Sequence, residues 1–369
     1  MSLPKDHTGN HCGVLVHESF KKEGLIMVRL TNMISRVLAV LISFVLLTSM
    51  SACAVAVANP ARVIALKGPS GIGLAKMIAE PDGQWSFTLA GSPDEIVAAI
   101  ASGSADIAAA PPNLAATLYS KLNGGVRLLA LNTLGMLHIL DKDGSINTVA
   151  DLEGRTITAS GQGSMPEYVL NYILEKNGIN ATVEYKAEHA ELATLAAAGM
   201  ADVVMLPEPF ATSLVQQNPE YRYALDVTDL FADAAAKDGS GAVLYMGCII
   251  ARTEFVEQHP DVVDAFLKAQ EASIQFTKDQ PEEAARLTQE AGVMPNAAIV
   301  LKALPGTNLT FVAGQTMKES VQPLYQILLD ANPASIGGAL PGDDFYYGAN
   351  AGTNDGANDG TGANADTTQ

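Results

Sequence analysis

A short stretch of this chain occurs twice. Residues 101–118 read ASGSADIAAAPPNLAATL and residues 197–214 read AAGMADVVMLPEPFATSL, so seven of eighteen positions are identical at an offset of 96 residues. In both copies an apolar run follows Ala-Asp and ends at a proline, which is typical of a buried strand that leads into a loop. The repeat indicates that the chain builds the same structural unit twice.

Short apolar runs alternate with helical stretches on both sides of this repeat. Strands separated by helical stretches of about ten residues predict parallel sheets. The expected fold class is therefore α/β, with two lobes that each hold a parallel-rich sheet flanked by helices. Each lobe should contain three strand–loop–helix units, whose loops are GPSG (68–71), GSPDE (91–95) and PPN (111–113), then GQGS (161–164), EHAE (188–191) and PEP (207–209).

These six loops predict a binding cleft. In open parallel sheets, ligands bind beyond the carboxyl ends of the strands, and all six loops follow such ends. If the lobes face each other, the loops line one cleft, and helix N-termini supply free N–H groups to it. Ser70, Ser92 and Ser164 stand where N-caps are expected, so each could cap its helix or contact a ligand.

The chain is expected to cross between the lobes twice. Apolar segments near residues 131–140 and 240–250 predict a two-strand hinge, and the later helical stretches are expected to pack on the first lobe. The predicted domains are lobe 1 at residues 60–137 plus 245–345 and lobe 2 at residues 138–244.

Composition narrows the class of partner. The 369 residues carry a formal net charge of −18, which disfavours nucleic acid and an anionic membrane surface. With 48% hydrophobic residues, the chain can form a large core without disulfides. Residues 348–369 contain no large apolar side chain, and we expect a disordered acidic tail there.

The N-terminal region resembles an export signal. Two arginines precede an apolar run at residues 37–50, which is short for a membrane span, and small residues follow it. The sequence Met-Ser-Ala-Cys ending at Cys53 resembles a bacterial lipobox. We therefore expect residues 1–52 to be removed and Cys53 to be lipidated, which anchors the protein to the outer face of the cytoplasmic membrane. Ordinary cleavage within residues 54–58 is the alternative.

The motifs together resemble a known family. GPSG, SPDEIVAAIASGSADIAA, LNTLG, DLEGRTITASGQGS and GMADVVMLPEPFAT occur in this order over about residues 60–346. They resemble the substrate-binding proteins of ABC importers, in particular the nitrate/sulfonate/taurine group, which includes binders of thiamine-precursor pyrimidines. The resemblance implies a type II periplasmic-binding-protein-like fold that closes on a small solute. It also implies a monomer that delivers the solute to a membrane permease driven by a separate ATPase.

The resemblance also implies ligand contacts, position by position. The hinge contact corresponds to Thr133, the EPF element places Glu208 at the cleft, and Tyr245 could supply an aromatic wall. His189 lies at a more peripheral strand end, whereas His138 is expected to be a satisfied core residue. The loop contacts of the family fall on Pro69, Ser70, Gly71, Pro112 and Asn113 in the first lobe, and on Gln162, Gly163 and Ser164, an anion cradle, in the second.

The charge of the ligand stays open at this stage. An oxyanion such as nitrate or a sulfonate favours Arg or Lys, yet the six loops contain neither, although Lys67 and Lys186 flank two of them. Backbone N–H groups could suffice. A buried Glu208 would need a cation or an N–H donor, unless it points at solvent or at a helix N-terminus. Our hypothesis is a small polar organic solute with N–H donors, such as an aminopyrimidine-like ring or a zwitterion.

Catalytic signatures are missing from the sequence after residue 52. It contains no G-x-S-x-G, no His-x-x-x-His, no paired C-x-x-C and no G-x-x-x-x-G-K-[ST]. We therefore predict no catalytic residue, metal or cofactor. One alternative is an enzyme resembling the pyrimidine synthases of fungal type, which consume their own histidine and a pyridoxal cofactor. Those enzymes carry a cysteine-rich motif, whereas the folded part here has Cys248 alone. A sensor or binding ectodomain without transport is the other alternative.

Overall fold

The computed structural model describes residues 60–349. The predicted signal region 1–52, the predicted anchor Cys53 and residues 350–369 of the predicted tail lie outside the described residues. The described chain forms the strands β1 (Ala61–Leu66), β2 (Trp85–Ala90), β3 (Ile107–Ala110), β4 (Val126–Leu134), β5 (Leu137–Asp141), β6 (Thr156–Ser160), β7 (Thr182–Lys186), β8 (Val203–Pro207), β9 (Arg222–Asp226), β10 (Tyr245–Arg252) and β11 (Leu309–Ala313).

Helices connect most of these strands. The α-helices of the described chain are α1 (Pro69–Ile72), α2 (Ala75–Ala79), α3 (Pro93–Ser102), α4 (Pro112–Lys121), α5 (Met165–Asn177), α6 (His189–Ala197), α7 (Phe210–Gln217), α8 (Val227–Lys237), α9 (Thr253–Gln258), α10 (Pro260–Asp279), α11 (Pro281–Glu290), α12 (Ala297–Ala303) and α13 (Gly314–Ala331). Single 3₁₀ turns lie at Val149–Leu152, Leu304–Thr307, Pro333–Ile336 and Asp343–Phe345.

The strands form two sheets with the same internal pattern. Sheet 1 has the order β11-β4-β10-β3-β1-β2 and sheet 2 has the order β7-β6-β8-β5-β9. In sheet 1, β1 is parallel to β2 and β3, and β10 is antiparallel to β3 and β4. In sheet 2, β6 is parallel to β7 and β8, and β5 is antiparallel to β8 and β9. The series β2-β1-β3-β10-β4 therefore matches β7-β6-β8-β5-β9, which confirms the predicted α/β fold with two similar lobes.

The sequence repeat marks equivalent places in the two sheets. Residues 101–118 cover β3 and most of α4, and residues 197–214 cover β8 and the start of α7. Every residue of β3 and β8 is buried. Alternate side chains of each strand belong to different hydrophobic clusters, because helices cover both faces of each sheet. Burial of each Ile, Leu or Val side chain stabilises the fold by about 1.5–3 kcal/mol, so the sequence is apolar along both β3 and β8.

The GPSG loop is more compact than the sequence suggested. Gly68, with φ 94°, is the N-cap of α1, so Ser70, expected at that cap, is instead the second residue of the helix. The chain is not helical between α1 and α2, where Gly73 packs against Ile274. Ser92 and Ser164 are N-cap residues as predicted, but neither side chain makes the capping hydrogen bond.

We call sheet 1 and the helices packed on it lobe 1, and sheet 2 and its helices lobe 2. The long apolar segment near residues 131–140 divides into β4 of lobe 1 and β5 of lobe 2, joined at residues 135–136. The chain returns from α8 to β10 through residues 238–244. Gly135 is required at the first crossing because a Cβ there would overlap the Oγ1 atom of Thr228. The domain boundaries given above remain a prediction.

An ion cluster joins the first, third and tenth strands at the end of sheet 1. The buried carboxylate of Asp106 accepts hydrogen bonds from the backbone N–H of Arg62 at 3.0 Å and from its side-chain Nε at 2.9 Å. Arg252 NH1 lies 3.7 Å from the same carboxylate. Burial by itself raises the pKa of Asp106, but the hydrogen bonds from Arg62 outweigh it and hold that pKa below its ordinary value.

Replacement of Asp106 by asparagine tests this cluster. We expect the free energy of unfolding at pH 7 to fall by about 1–2 kcal/mol, since both guanidinium groups lose an anionic partner while exposure of Arg62 limits the loss. Because the folded-state pKa is depressed, the stabilisation is complete above the ordinary carboxyl pKa of about 4 and is lost as the pH falls below it. Urea unfolding between pH 3 and pH 7 measures both effects.

The exposed Asp233 on α8 provides the control, because the structure assigns it no hydrogen bond or ion pair. Asp233→Asn should change the unfolding free energy little. An equal loss in both variants, or an unchanged pH dependence in Asp106→Asn, would show that the cluster does not stabilise the fold.

Candidate functional site

Loops that follow parallel strands in the two lobes lie against each other. A Cβ built on Gly68, in the loop after β1, would lie 3.9 Å from Cε2 of Phe210, which begins α7 after β8. Farther along the same seam, Lys302 Nζ of α12 donates to Gln216 Oε1 of α7 at 2.5 Å. The two lobes therefore approach each other through the loops after β1 and β8 and through α12 and α7, where the sequence predicts the cleft.

The loop after β6 was predicted as an anion cradle. Its Gly161 and Gly163 adopt φ angles of 86° and 73°, which glycine tolerates best. The Gly163 N–H donates to Glu167 Oε2 at 2.5 Å, and the Ser164 hydroxyl donates to the Gly161 carbonyl at 2.8 Å. The Gly163 N–H, which was expected to bind an anion, therefore donates to Glu167 instead. The Glu167 carboxylate lies beside the loop. Gln162 is exposed at the same loop.

His189 lies at the cleft rather than at its periphery. Its Nδ1 is 2.6 Å from the hydroxyl of Ser160, the last residue of β6. Its ring lies 5.6 Å from that of Phe210, at an interplanar angle of 45°. Burial lowers the pKa of His189 to about 4, so the imidazole is neutral at pH 7. Sequence reasoning missed Ser160 and Phe210, although each stands at the end of a predicted strand or directly after PEP.

Glu208 receives its hydrogen bonds from lobe 2 itself. Only 3% of the residue is exposed. Its Oε2 accepts from the Thr212 N–H in the first turn of α7 at 3.1 Å, and its Oε1 accepts from the Tyr223 hydroxyl at 2.6 Å. Burial, followed by the bond to Glu208, raises the pKa of Tyr223 well above its ordinary value. The sequence left open whether Glu208 faces a ligand or a helix N-terminus. In the structure its carboxylate faces the N-terminus of α7.

His138 is not the satisfied core residue that was expected. Its Nε2 is buried without a hydrogen-bond partner, 3.9 Å from Glu208 Oε1, and its Nδ1 lies 3.8 Å from Asp226 Oδ2. Both separations exceed hydrogen-bond length. The Tyr223 ring packs edge-on against the imidazole, with centroids 5.0 Å apart. The expectation failed because the neighbouring carboxylates come from β8 and β9, which are distant in sequence.

Gly306 of lobe 1 contacts this polar group. A Cβ at Gly306 would lie 3.1 Å from Glu208 Cγ and 3.5 Å from His138 Nε2. Its 3₁₀ turn continues into Asn308, whose side chain donates to the Gly135 carbonyl at the first crossing, at 2.6 Å. The turn therefore lies against lobe 2 beside the hinge, and no side chain fits between them.

The predicted ligand contacts of lobe 1 differ in whether their hydrogen-bonding groups already have partners. Asn113, in the first turn of α4, is 6% exposed and its Oδ1 has no hydrogen-bond partner, so an acceptor remains available there. Pro112 contributes its carbonyl to the Tyr325 hydroxyl at 3.1 Å. The Gly71 N–H donates to the Gly68 carbonyl at 3.1 Å. Ser70 is half-buried beside them, within the one-turn helix that also contains Pro69.

Thr133 lies inside sheet 1. It is fully buried in β4 between β10 and β11, and its hydroxyl donates to Asn132 Oδ1 at 3.2 Å. Gly247 of β10 packs so closely on this pair that a Cβ there would lie 2.5 Å from Asn132 Oδ1. Tyr245, the first residue of β10, pairs with Leu134 and is 5% exposed. The contact of Thr133 with a solute stays a prediction.

The described residues offer no metal site or reactive thiol at the cleft. Within residues 60–349 no group of three His, Cys, Asp or Glu side chains is placed to hold a metal ion. Cys248, the free cysteine of this range, is fully buried and its Sγ lies 3.2 Å from the Ala110 carbonyl oxygen. Burial raises the pKa of its thiol well above the ordinary value. No helix in this part of the chain is both long and apolar enough to cross a membrane.

The fold is that of the type II periplasmic binding proteins. A crystal structure of an ABC transporter protein from Parabacteroides distasonis superposes with a TM-score of 0.67 at 22% identity, over 78% of this chain and 98% of that one. The periplasmic aliphatic sulphonate binding protein SsuA of Escherichia coli gives 0.61 at 18% identity, over 75% and 94%. The alkanesulfonate-binding protein SsuA of Xanthomonas axonopodis pv. citri, bound to MOPS, gives 0.56 at 19% identity, over 77% and 96%.

The sequence itself assigns the family. A family model described as NMT1/THI5 like matches residues 89–284, which is more than half of the 369 residues. The chain therefore belongs to the NMT1/THI5-like family. No curated protein sequence matches the chain.

Replacement of Gly306 by valine tests the contact between the lobes beside the hinge. The added side chain has no room against Glu208 and His138, so we expect the lobes to move apart or the fold to strain. Overpacking of this kind costs about 1–3 kcal/mol. Small-angle X-ray scattering should detect a larger radius of gyration, and urea unfolding should detect the loss of stability.

Pro305→Val is the matched control, because Pro305 lies in the same 3₁₀ turn but is exposed. It should leave both measurements close to those of the unaltered protein. If Gly306→Val also leaves both unchanged, the turn does not hold the lobes together.

Proposed function

We propose that this protein is the solute-binding component of an ABC uptake system and that it holds a small polar solute between its two lobes. The observation that carries the proposal is the contact of strand-end loops from both lobes, between Gly68 and Phe210. Family membership and the fold shared with substrate-binding proteins support it. Delivery to a membrane permease with a separate ATPase is part of the proposal.

The electrostatics of the cleft favour an uncharged or zwitterionic solute over a simple oxyanion. His189 is neutral at pH 7 because its pKa is about 4. The Gly163 N–H is engaged by Glu167, whose carboxylate repels an anion at the predicted cradle. Lys67 is exposed and Lys186 is half-buried, so neither provides a buried cation. A pyrimidine-like ring or a zwitterion therefore fits better than nitrate.

Four side chains are the proposed centre of recognition. Asn113 offers a buried acceptor from lobe 1. Ser160 and His189 form a hydrogen-bonded pair in lobe 2, and Phe210 provides a flat apolar surface beside them. Aromatic surfaces stack well on flat ligands. The remaining predicted contacts, which form the rim of the cleft in this proposal, are Pro69, Ser70, Gly71, Pro112, Gln162, Gly163, Ser164 and Tyr245.

Hydrolysis is a weaker interpretation of the Ser160–His189 pair. A serine nucleophile requires a neighbouring base with a pKa near the working pH. The pKa of His189 is about 4, which makes the imidazole a weak base, and Ser160 is only 1% exposed. The pair is better suited to hydrogen bonding with a bound solute.

A thermal-shift screen of ethanesulfonate, taurine, nitrate, aminopyrimidines and amino acids tests the function. A ligand at 100 times its Kd raises the free energy of unfolding by about 2.7 kcal/mol, which gives a shift of several degrees. We expect a saturable shift with an aminopyrimidine or a zwitterion and none with nitrate. A shift with nitrate alone would contradict the proposed solute class, and no shift with any compound would count against solute binding.

Asn113→Ala tests the proposed contact once a compound binds. We expect affinity measured by calorimetry to fall about tenfold, equivalent to ~1.4 kcal/mol, because one hydrogen bond is lost. Asn171→Ala is the matched control, since Asn171 is exposed on α5. Equal affinities for the two variants would remove Asn113 from the site.

The membrane anchor is also part of the proposal and rests on Cys53 and the apolar run before it. In a bacterial host, Cys53→Ser should release the protein from the membrane fraction into the soluble fraction. Flotation on a sucrose gradient measures this. A Cys53→Ser protein that still floats with membranes would refute the lipid anchor while leaving solute binding unaffected.

A further inference from the structure

One segment of lobe 1, residues 293–308, contacts both the GPSG loop and lobe 2, and we call it the bridging segment. At its start, the Val293 carbonyl accepts a hydrogen bond from the Gly68 N–H at 3.1 Å. A Cβ built on Gly71 would lie only 2.8 Å from Cγ1 of Val293, so the loop packs tightly on the segment. The start of the bridging segment is therefore fixed against the loop that follows β1.

The helix of the bridging segment, α12, is fixed in lobe 1 by hydrogen bonds at its N-terminus. The Asn296 side chain caps the helix, accepting from the N–H groups of Ala298 and Ile299 at 2.9 and 3.2 Å. The Ala297 N–H donates to Gln289 Oε1 of α11 at 2.8 Å. A capped helix that is bonded to its neighbour holds its last turn at a defined position.

The last turn of α12 contacts lobe 2 through a hydrogen bond between side chains. Lys302 Nζ donates to Gln216 Oε1 of α7 at 2.5 Å. Both residues are exposed, so the bond contributes little free energy by itself. The two residues belong to different lobes, however, and the bond exists only while the lobes are in contact. Its whole free energy therefore favours the arrangement with contact over one in which the lobes are apart.

Gln216 lies at the opposite end of α7 from Phe210, the aromatic residue of the proposed recognition centre. The helix has eight residues, which corresponds to a length of about 12 Å. Just before its first turn, a Cβ at Gly306 of the bridging segment would lie 3.1 Å from Glu208 Cγ. The bridging segment thus contacts lobe 2 beside both ends of α7, which limits how far this helix can tilt.

The next residue of α7 makes a different hydrogen bond. Gln217 is also exposed, and its Nε2 donates to Ser213 Oγ of the same helix at 2.8 Å. Gln216 and Gln217 therefore share side chain, helix turn and exposure, but Gln216 bonds across to lobe 1 whereas Gln217 bonds within lobe 2. This pair provides a matched test of the contact between the lobes.

We propose that Lys302 and Gln216 form a latch that holds α7, and with it Phe210, against lobe 1 whether or not a solute is present. Both are positioning residues, because neither belongs to the proposed recognition centre. The proposal rests on the proposed function in one respect: Phe210 contacts the solute there, so a latch that holds α7 in place slows release of the solute. The latch itself can be tested without any solute.

Two substitutions should change the latch in opposite directions. Lys302→Met keeps the length of the side chain but removes its charge and its donors. We expect it to lower the ratio of protein with the lobes in contact to protein with the lobes apart, by about threefold. Gln216→Glu gives Lys302 an anionic partner, and it should raise the same ratio by about threefold.

Pulsed electron resonance between two spin labels measures this ratio in the solute-free protein. The labels are attached at Asp94→Cys in α3 and at Ala190→Cys in α6, which are exposed positions. These helices follow β2 and β7, the sheet edges farthest from the crossing between β4 and β5, so separation of the lobes changes this distance strongly. Cys12→Ser and Cys53→Ser remove the other two cysteines, and Cys248 takes no label because it is fully buried.

The controls separate the latch from a general effect of charge. Gln217→Glu adds the same charge to the same helix turn and should leave the distance distribution unchanged. Lys302→Met combined with Gln216→Glu should lose the gain that Gln216→Glu gives alone, because the added carboxylate then has no cationic partner.

Either of two results would overturn the proposal. The first is the same distance distribution in the unaltered protein, Lys302→Met and Gln216→Glu, which means that the bond does not hold the lobes. The second is an equal change in Gln216→Glu and Gln217→Glu, which means that added charge acts without the latch. Neither result bears on solute binding, which the thermal-shift screen tests separately.

Discussion

Three parallel strands in each lobe are the constraint on which the rest of this structure depends. Parallel neighbours cannot be joined by hairpins, so helices connect them and cover both faces of the sheet. The central strands β3 and β8 are consequently buried along their whole length. The same rule puts the loops that follow the parallel strands at one end of each sheet, and the contact of Gly68 with Phe210 brings the two ends together.

Close contacts at two glycine positions hold the two lobes in this arrangement. At the first crossing, Gly135 leaves no room for a side chain next to Thr228, and Gly306 leaves none next to Glu208. Interiors are close-packed, so positions of this kind define discrete arrangements better than flexible side chains do. The two polar side chains beside Gly306 differ in their hydrogen bonding. Glu208 accepts hydrogen bonds from Thr212 and Tyr223, whereas His138 Nε2 has no partner.

Several polar groups at the predicted cleft are already hydrogen-bonded within the chain, and this limits which groups a solute can contact. Donors expected to be free, such as the Gly163 N–H, are used by neighbouring side chains, and Glu208 is satisfied within lobe 2. In the proposed function, Asn113 Oδ1 and the Ser160–His189 pair are the polar groups that contact the solute. The proposed solute class rests on this composition, because the described residues of these loops include no buried cation.

Much of the fold could be predicted from patterns within short windows. The apolar runs, the loops and the repeat at 101–118 and 197–214 correctly indicated two similar α/β lobes. One expectation was wrong because it depended on residues distant in sequence. His138 was expected to be satisfied, yet its Nε2 has no hydrogen-bond partner and its neighbours are the carboxylates of Glu208 and Asp226.

The sequence by itself determined the fold class and the positions of the strand-end loops, and it predicts export of the chain, since each follows from local periodicity and composition. Only the tertiary structure decided which polar atoms are already paired. Glu208 with Tyr223 and Ser160 with His189 are separated by 15 and 29 residues, respectively. Hydrogen bonding and burial depend on distances in space, and no window of sequence contains both members of such pairs.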